Sequence, residues 1–365
     1  MTGAAAFLYN DDFMLYQFGP RHPFQPVREK MAMDALLSLG SLDGSSGKVV
    51  VPASVDMEQL YSVHPREFVA DVERTCLASG MLDQGDTPGN PGLFTGALSA
   101  VGASVRGVQG IMTGEFEHAF NPAGGLHHAH PTSVSGFCVF NDIAVAVRYL
   151  QREHGLERIA VVDTDGHHGD GTESIFYRES VLTISLHRFG RGFFPGSGSM
   201  EDRGEDEGRG YNINLPLPAG TDDNLYLQAY RAIAVPALRA YQPEIIIHQF
   251  GVDGHYRDPL VGLGLTTRGY AELSRITHGI AHETCDGRYM VVGGGGYNID
   301  ATSRSWAIMF AGLSGRSAED DGRIAALHDQ EQLMSPEAVA TEVDRVIRRQ
   351  EEAAIPMVEK LIRFA

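Results

Sequence analysis

Ile159-Ala160-Val161-Val162 runs directly into Asp163-Thr164-Asp165-Gly166-His167-His168-Gly169-Asp170-Gly171. An apolar, β-branched run of this length, ended by Asp and Gly, predicts a buried parallel strand that enters a loop. Ligands of open α/β sheets bind at the carboxyl ends of the strands, so this loop lies where a binding site is expected. Alternation along an extended backbone turns Asp163, Asp165 and His167 toward the same side.

The donor groups of this loop predict a site for a divalent metal. Carboxylate and imidazole together suit a hard-to-borderline cation, and the neighbouring glycines let the backbone approach closely. A solvated acidic loop with a chance histidine pair is the alternative interpretation. It is disfavoured because a strand end is a costly place for unpaired, buried charges.

Length and composition favour one globular enzyme. At 365 residues the chain exceeds the ~250–300 residues of a usual single core, so one large or two small domains are possible. Apolar residues make up 43% and charged residues 21%, which excludes a disordered or fibrous chain. Because there is no internal repeat and no flexible linker, we expect one domain over 1–365. A helical extension over about 315–365 is expected to pack on this domain or on a partner subunit of a homo-oligomer.

Charge and cysteine content limit the partners and the compartment. The net charge of −18 disfavours nucleic acid, because phosphate binding needs a basic surface, but it is compatible with a cationic substrate. Three widely spaced cysteines without a CxxC motif fit a reducing cytoplasm. The N-terminus lacks the basic start of a signal peptide, and no uncharged apolar run approaches the ~18 residues of a membrane helix. We therefore expect a cytoplasmic protein without a membrane partner.

Short apolar runs alternate with longer helical patterns along most of the chain. Strands are predicted over 5–9, 49–51, 159–162, 181–186, 245–249 and 289–292, and helices over 27–39, 65–77, 93–112, 140–150, 224–240 and 270–284. This alternation predicts an α/β fold of three layers, with helices on both faces of a mostly parallel sheet. Ser335-Pro336-Glu337 is a good helix start, so the tail is predicted to be helical, with a break near Pro356.

Four further segments follow apolar runs and carry reactive side chains. They are Gly124-Gly125-Leu126-His127-His128-Ala129, Gln249-Phe250-Gly251-Val252-Asp253, Gly293-Gly294-Gly295-Gly296-Tyr297-Asn298 and Gly192-Phe193-Phe194-Pro195-Gly196. Each alone has an ordinary explanation: a histidine pair in the core, a helix-capping aspartate, a tyrosine after a glycine turn. Their occurrence at successive strand ends favours one shared site.

Together these groups satisfy the requirements of metal-assisted hydrolysis. Asp165, His167 and Asp253 supply three protein ligands and leave a coordination position for water. The metal then lowers the pKa of the water and polarises a carbonyl group. A nucleophilic Ser or Cys is not required, and the chain has no GxSxG motif.

The remaining groups provide proton transfer and charge stabilisation. His127 and His128 can move protons, and each needs a partner that fixes its tautomer. Asp163 and Asp170 are available for that orienting role. Tyr297 can donate its phenol to the developing oxyanion.

These segments resemble the zinc-dependent histone deacetylase superfamily, which has the arginase-like α/β fold. The resemblance runs from about Leu8 to Gly312 and rests on GGLHHA, GFCVFND, DTDGHHGDG, SLH, GFFPG and GGGGYN. The opening Phe18-Gly19-Pro20-Arg21-His22-Pro23, with Arg28 beyond it, resembles the bacterial branch called acetoin utilisation proteins.

The resemblance implies roles at matching positions. It places zinc, or ferrous iron, on Asp165, His167 and Asp253, the general base on His128 and the oxyanion donor on Tyr297. By the same resemblance, His127 completes the tandem histidine pair, and Asp163 and Asp170 are the buried acid partners of the two histidines. The acyl-lysine tunnel would be lined by Gly136, Phe137 and Phe194, and the rim aspartate that grips substrate backbone would be Asp86.

The resemblance also implies structural monovalent cations, K⁺ or Na⁺. The inner site would use Asp163, Asp165, His167, Ser185 and Leu186, and the outer site Phe176, Val181 and Tyr211. Three features depart from the eukaryotic relatives. The segment 176–181 is one residue shorter, Gly166 stands where they carry a larger apolar residue, and the tail after Gly315 matches them poorly.

The implied function is that of a bacterial zinc-dependent lysine deacylase, which hydrolyses an acyl-lysine amide in a protein or peptide to a carboxylate and a free amine. An acetylpolyamine amidohydrolase is the first alternative, but the segment 81–93 is too short for the inserted, dimer-forming loop of that branch. An arginase-type ureohydrolase would need two manganese ions and further carboxylates, whereas Gly166 and His168 occupy that region. A non-catalytic acyl-lysine binder would have lost Tyr297, a tandem histidine or a ligand, and none is lost.

Overall fold

The central β-sheet confirms the predicted α/β class. In the computed structural model, which describes residues 4–363, eight strands form one sheet in the order β2-β1-β3-β8-β7-β4-β5-β6, and all neighbouring strands run parallel. The strands are β1 (Ala5–Leu8), β2 (Gly47–Val50), β3 (His118–Asn121), β4 (Ile159–Asp163), β5 (Leu182–Arg188), β6 (Asn212–Leu217), β7 (Ile245–Gln249) and β8 (Tyr289–Val292).

The two strands in the middle of the sheet show why these sequences form it. Every residue of β4 and of β7 is buried, and both strands begin with a run of apolar, mostly β-branched residues. Val161 of β4 lies in register with Thr183 on one side and Ile247 on the other. Such runs are expected where helices cover both faces of a parallel sheet.

Helices surround the sheet. They are α1 (Val27–Leu39), α2 (Met57–Leu60), α3 (Arg66–Leu77), α4 (Leu93–Met112), α5 (Asp142–His154), α6 (Asp170–Phe176), α7 (Asp223–Ala229), α8 (Val235–Tyr241), α9 (Thr267–Thr284), α10 (Ile299–Leu313), α11 (Gly322–Ala325) and α12 (Glu337–Arg363). A π-helical turn, Tyr230–Ala234, joins α7 to α8. Within residues 4–363, no helix combines the length and the apolar character needed to cross a bilayer.

The observed bounds of α1 and α4 are the same as the predicted bounds. The strands β3 and β6, in contrast, were not predicted. Gly40 ends α1 in the left-handed region, at φ 71°, and its N–H bonds back to the last turn. In β6, Asn212, Asn214 and Pro216 interrupt the apolar pattern. Proline is tolerated there because β6 is an edge strand. β3 has only four residues, and polar residues occupy its first and last positions.

The predicted break of the tail near Pro356 is wrong, because α12 continues through this residue. Pro356 is exposed, while Ala354 and Val358 on either side of it are buried. The proline therefore removes one hydrogen bond on the solvent side of the helix, and packing on the opposite side continues. The tail packs on α8 and β6 of the same chain, and Gln350 donates to Asn214 O at 2.5 Å.

A buried carboxyl group on α1 makes stability depend on pH. Glu29 is 1% exposed, and among the described residues neither of its oxygens has a hydrogen-bond partner. The neighbouring Arg28 bonds instead to Gly296 O at 2.8 Å. Burial, opposed by the charge of Arg28, raises the pKa of Glu29 to about 8. The protonated form therefore stabilises the fold fully below about pH 4.5, and this contribution is lost as the pH rises through about 8.

Glu29→Gln is expected to flatten this pH dependence. Between pH 5 and pH 9 the wild-type protein should lose roughly 3–5 kcal/mol of unfolding free energy relative to the variant, at 1.36 kcal/mol for each unit of raised pKa. Urea unfolding of both proteins at the two pH values measures the difference. Parallel pH profiles would show that Glu29 has the same pKa in the folded and the unfolded chain.

Candidate active site

The predicted chemical groups converge at one edge of the sheet. The tandem histidines follow β3, the DTDGHH loop follows β4, Asp253 follows β7 and Tyr297 follows β8. These four strands are consecutive neighbours, in the order β3-β8-β7-β4. Because all of them are parallel, their carboxyl ends meet at the same edge.

Three side chains of this edge form a compact donor set. The ligand atoms of Asp165, His167 and Asp253 all lie within 4.8 Å of one another, and all three residues are buried. His167 Nδ1 is 3.3 Å from Asp165 Oδ1 and 2.8 Å from Asp253 Oδ2. The structure thus brings together the three residues predicted to bind metal.

Hydrogen bonds fix the orientation of both carboxylates. Asp165 Oδ2 accepts from Gln249 Nε2 and from the Gly295 N–H, each at 2.8 Å. Asp253 Oδ1 accepts from the Gly166 N–H at 2.6 Å. The other oxygen of each carboxylate, Asp165 Oδ1 and Asp253 Oδ2, is thereby held toward His167 Nδ1. Neither Gln249 nor Gly295 was assigned a role from the sequence, although Gln249 ends β7, a strand that begins with three isoleucines.

The donor set fits a divalent cation. Burial, together with the charge of Asp165, raises the pKa of Asp253 to about 7. Burial lowers the pKa of His167, but Asp253 and Asp165 outweigh it and raise the value to about 10. The pocket therefore attracts positive charge. Two carboxylate oxygens and one imidazole nitrogen are a donor set that suits zinc or ferrous iron.

Each tandem histidine has its own carboxylate. His127 Nδ1 donates to Asp163 Oδ2, and His128 Nδ1 donates to Asp170 Oδ1, both at 2.6 Å. Asp163 is the last residue of β4, and Asp170 is the first residue of α6. The two Nε2 atoms lie 3.1 Å apart. The predicted pairing of histidines with acids is thus present in the structure.

The two imidazoles differ in proton affinity. Burial disfavours the charged form of His127, but Asp163 and Asp165 overcome this effect and raise its pKa to about 9. Burial and the charge of His127 lower the pKa of His128 to about 4. A divalent cation beside them would lower both values. Because like charges repel, His127 takes the proton first and His128 stays neutral.

A channel leads from the surface to these groups. Its volume is about 330 Å³, and its walls include the four predicted substrate-binding residues, Asp86, Gly136, Phe137 and Phe194, together with His128, His167, Phe193, Leu260 and Tyr297. Phe194 and Leu260 are 42% and 40% exposed and mark the mouth. Phe193 stacks on the His167 ring with centroids 5.1 Å apart. Phe193 belongs to a segment that was expected at the site but was not itself assigned to the tunnel, and Leu260 was not predicted.

Two glycines make room for the reactive groups. Gly136 has φ +52°, and a Cβ on it would lie 2.5 Å from His128 Cδ2. A Cβ on Gly166 would lie 2.6 Å from Val261 Cγ1. Val261 thus fills the space beside Gly166, where the eukaryotic relatives are expected to carry a larger side chain.

Tyr297 presents a protonated phenol to the channel. Its backbone N–H donates to Asp258 Oδ2 at 2.8 Å, and its ring contacts Phe137 edge-on at 5.9 Å. Burial and the charge of Asp253 raise the pKa of Tyr297 well above its ordinary value. The hydroxyl therefore remains a hydrogen-bond donor at neutral pH.

Asp86 lies exposed at the rim of the channel. Partial burial and the neighbouring Asp83 raise the pKa of Asp86 to about 6. Its carbonyl oxygen lies 3.0 Å from His22 Nε2. Asp86 Oδ1 accepts from Thr87 Oγ1 at 3.2 Å.

The residues predicted for the monovalent cations lie beside β4 and β5. Asp163 and Ser185 are in register on these strands and line a small shared cavity. The Leu186 carbonyl accepts from Tyr226 OH at 3.0 Å. At the predicted outer site, Phe176 O accepts from the Glu179 N–H at 2.9 Å, and Tyr211 O accepts from the Thr183 N–H at 2.8 Å. Val181 directly precedes β5.

Comparison with known proteins agrees with this geometry. The histone deacetylase domain family matches residues 22–313. The chain is 36% identical over 321 residues to the acetoin utilization protein of Bacillus subtilis, covering 85% of this chain and 82% of that protein. It is also 36% identical over 297 residues to a probable deacetylase of Archaeoglobus fulgidus, covering 80% and 81%.

A solved structure gives the same result. The crystal structure of the HDA15 HD domain superposes with a TM-score of 0.83 at 28% identity, covering 97% of this chain and 98% of that one. These findings confirm the resemblance that the sequence motifs indicate. The chain belongs to the histone deacetylase family, as a deacetylase similar to the acetoin utilization proteins.

Proposed function

We propose that the chain removes acetyl, or another short acyl group, from lysine side chains of proteins or peptides. The observation that carries this proposal is the channel of about 330 Å³ that ends at His128, His167 and Tyr297. Asp165, His167 and Asp253 would hold zinc, and ferrous iron suits the same donors. When bound, the metal would lower the pKa of a water molecule and polarise the amide carbonyl.

His128 is placed to move the proton. Its Nδ1 is fixed by Asp170, so a neutral ring carries its lone pair on Nε2, which lies 3.1 Å from His127 Nε2. We propose that Nε2 accepts the proton from the attacking water and returns it to the leaving amine. Asp170 stabilises the imidazolium that exists between these two steps.

His127 and Tyr297 stabilise charge. His127, paired with Asp163, is held protonated and contributes a fixed positive charge beside His128. The Tyr297 phenol would donate to the oxyanion that forms when the carbonyl carbon becomes tetrahedral. Both roles need groups that are already correctly positioned before the reaction begins. The surrounding packing holds His127 and Tyr297 in position.

The channel walls support an acyl-lysine substrate. Phe137, Phe193 and Phe194 present aromatic surface to the four methylene groups of a lysine side chain. Asp86, at the mouth, would accept hydrogen bonds from the substrate backbone. The net charge of −18 would attract the basic peptides in which acylated lysines often lie.

A substrate panel tests the proposal. The purified, metal-loaded protein is offered acetyl-lysine peptides, longer acyl-lysine peptides and acetylpolyamines, and product amine is measured. The highest kcat/KM is expected for a short acyl-lysine peptide. A preference for acetylpolyamines would show that the proposed substrate class is wrong. Binding of acyl-lysine without turnover would indicate a non-catalytic acyl-lysine binding protein.

Tyr297→Phe is expected to lower kcat by roughly 10²–10³, the usual scale for one oxyanion donor. KM should change much less, because the phenol acts on charge that develops only in the transition state. Tyr256→Phe is the matched control, since its hydroxyl lies outside the channel walls. Near-normal turnover in Tyr297→Phe would show that the tyrosine is only a wall of the pocket.

We further propose K⁺ or Na⁺ beside the catalytic loop and a cytoplasmic location. The cavity shared by Asp163 and Ser185 supports the inner cation site. Asp165, His167 and Leu186, which do not line this cavity, would be the other members of the site. Phe176, Val181 and Tyr211 would form the outer site. The three cysteines are free and buried, which supports a reducing compartment.

A further inference from the structure

A second group of imidazoles lies at the opposite edge of the sheet from the channel. His118 is the first residue of β3, whereas the tandem histidines follow the other end of this strand. His278 and His282 are one turn apart on α9, so they share one face of the helix. The sequence separation between His118 and His278 is 160 residues. The fold alone brings this trio together.

The ring nitrogens of the three histidines converge on one another. His278 Nε2 lies 2.9 Å from His118 Nε2 and 3.0 Å from His282 Nε2. An imidazole nitrogen carries either one N–H or one lone pair in the ring plane. His278 Nε2 can therefore form only one good hydrogen bond, although two nitrogens face it. A cation that accepts all three lone pairs resolves this conflict.

The spacing suits a metal bound by imidazoles. Two nitrogens at about 2.1 Å from a metal, with an angle of 90–109° between them, are about 3.0–3.4 Å apart. The observed 3.0 Å lies at the short end of this range, and the observed 2.9 Å lies just below it. All three ligand atoms lie within 4.8 Å of one another. Only small movements of the rings would be needed.

The surroundings hold the trio in place. Tyr289 stacks on the His278 ring at an interplanar angle of 13°. Gly287 leaves space for His282, because a Cβ there would lie 2.7 Å from His282 Cε1. His118 is only 2% exposed, while His282 is exposed to solvent. A cation could thus enter from the His282 side and reach a buried ligand.

We propose that His118, His278 and His282 form a second metal site, which takes a borderline divalent transition metal such as Zn²⁺. Three imidazole nitrogens favour such an ion over Mg²⁺ or Ca²⁺, and the Glu117 carboxylate, whose Oε2 lies 3.9 Å from His118 Nε2, adds negative charge beside it. Water would complete its coordination on the exposed side. The site joins the start of β3 to α9, so its role is structural and does not depend on the proposed catalytic chemistry.

Metal stoichiometry tests the proposal. Tag-free protein, stripped with a chelator, is dialysed against Zn²⁺, and bound metal is counted by mass spectrometry. Wild type should bind two equivalents and His282→Ala one. Asp165→Ala should also bind one, and the double variant none. Glu283→Ala, at the next exposed position of α9, is the control and should keep two equivalents.

A second measurement covers the possibility that a variant is poorly folded. In the Asp165→Ala background, Zn²⁺ at about 100 times its Kd should lower the unfolding constant about 100-fold, and His282→Ala should abolish this effect. The proposal is overturned if Asp165→Ala binds no metal. It is also overturned if Asp165→Ala still binds one equivalent of metal after His282→Ala is added. Failure of the catalytic site alone would look different: wild type would bind one equivalent, which only His282→Ala removes.

Discussion

His128→Ala is expected to abolish turnover, whereas His127→Ala should retain a measurable fraction of it. The two rings lie side by side, but His128, whose pKa is lowered, lines the channel and is the proposed base, whereas the proposed role of His127, whose pKa is raised by Asp163, is to hold a positive charge. Removing His128 eliminates both proton transfers, from the attacking water and to the leaving amine, and such catalysis contributes about 10²–10⁴-fold. Removing His127 takes away only charge stabilisation.

The pH–rate profiles separate these roles. The charge of His127 lowers the pKa of His128, so His127→Ala should move the acidic limb of kcat/KM to higher pH. Bound metal is measured in both variants and should be unchanged. A larger loss in His127→Ala than in His128→Ala would reverse the assignment.

Asp253→Asn is expected to release the catalytic metal and to lower turnover by more than about 100-fold, the upper end of what loss of a supporting group costs. The amide keeps the shape of the side chain but removes the charge that, with Asp165 and His167, holds the cation. Metal content and kcat/KM are measured together. Asp165→Ala and His167→Ala should behave in the same way.

Glu29→Gln provides a matched control for Asp253→Asn. It also replaces a buried carboxyl group by an amide, but Glu29 lies on α1, outside the channel walls and the donor set. At pH 7 the control should keep metal and activity. Full metal occupancy and normal turnover in Asp253→Asn would remove Asp253 from the ligand set.

The main parts of the site could be predicted from sequence because each is local to one strand end. The apolar run before Asp163 predicts β4, and parallel strands bring their carboxyl ends to one edge. The reactive residues after β7 and β8, and the histidines after the apolar pair Ala119-Phe120, were therefore expected to lie near the DTDGHH loop. The resemblance to the deacetylases then assigned a role to each of them.

The features that sequence did not reveal depend on packing between distant segments. Leu260 reaches the mouth of the channel from the loop after β7, and Val261 fills the space beside Gly166. No periodicity marks either residue. The contact of His118 with α9 likewise requires knowledge of which helix lies beside the start of β3.

The tail shows a different limit. Pro356 predicts a break on local grounds, since proline removes an N–H and crowds the preceding turn. Buried contacts of Ala354 and Val358 keep α12 continuous, because tertiary packing outweighs the loss of one exposed hydrogen bond. Only the structure shows which side of the helix Pro356 occupies.

Acetate release from an acetyl-lysine peptide, measured while zinc is titrated into chelator-stripped protein, tests the proposed chemistry most directly. Stripped wild type should be inactive and should gain activity as metal is added. Asp253→Asn should stay inactive at the same metal concentrations, and Glu29→Gln should follow wild type. Acetate release at the full wild-type rate from stripped protein would contradict metal-dependent hydrolysis at Asp165, His167 and Asp253.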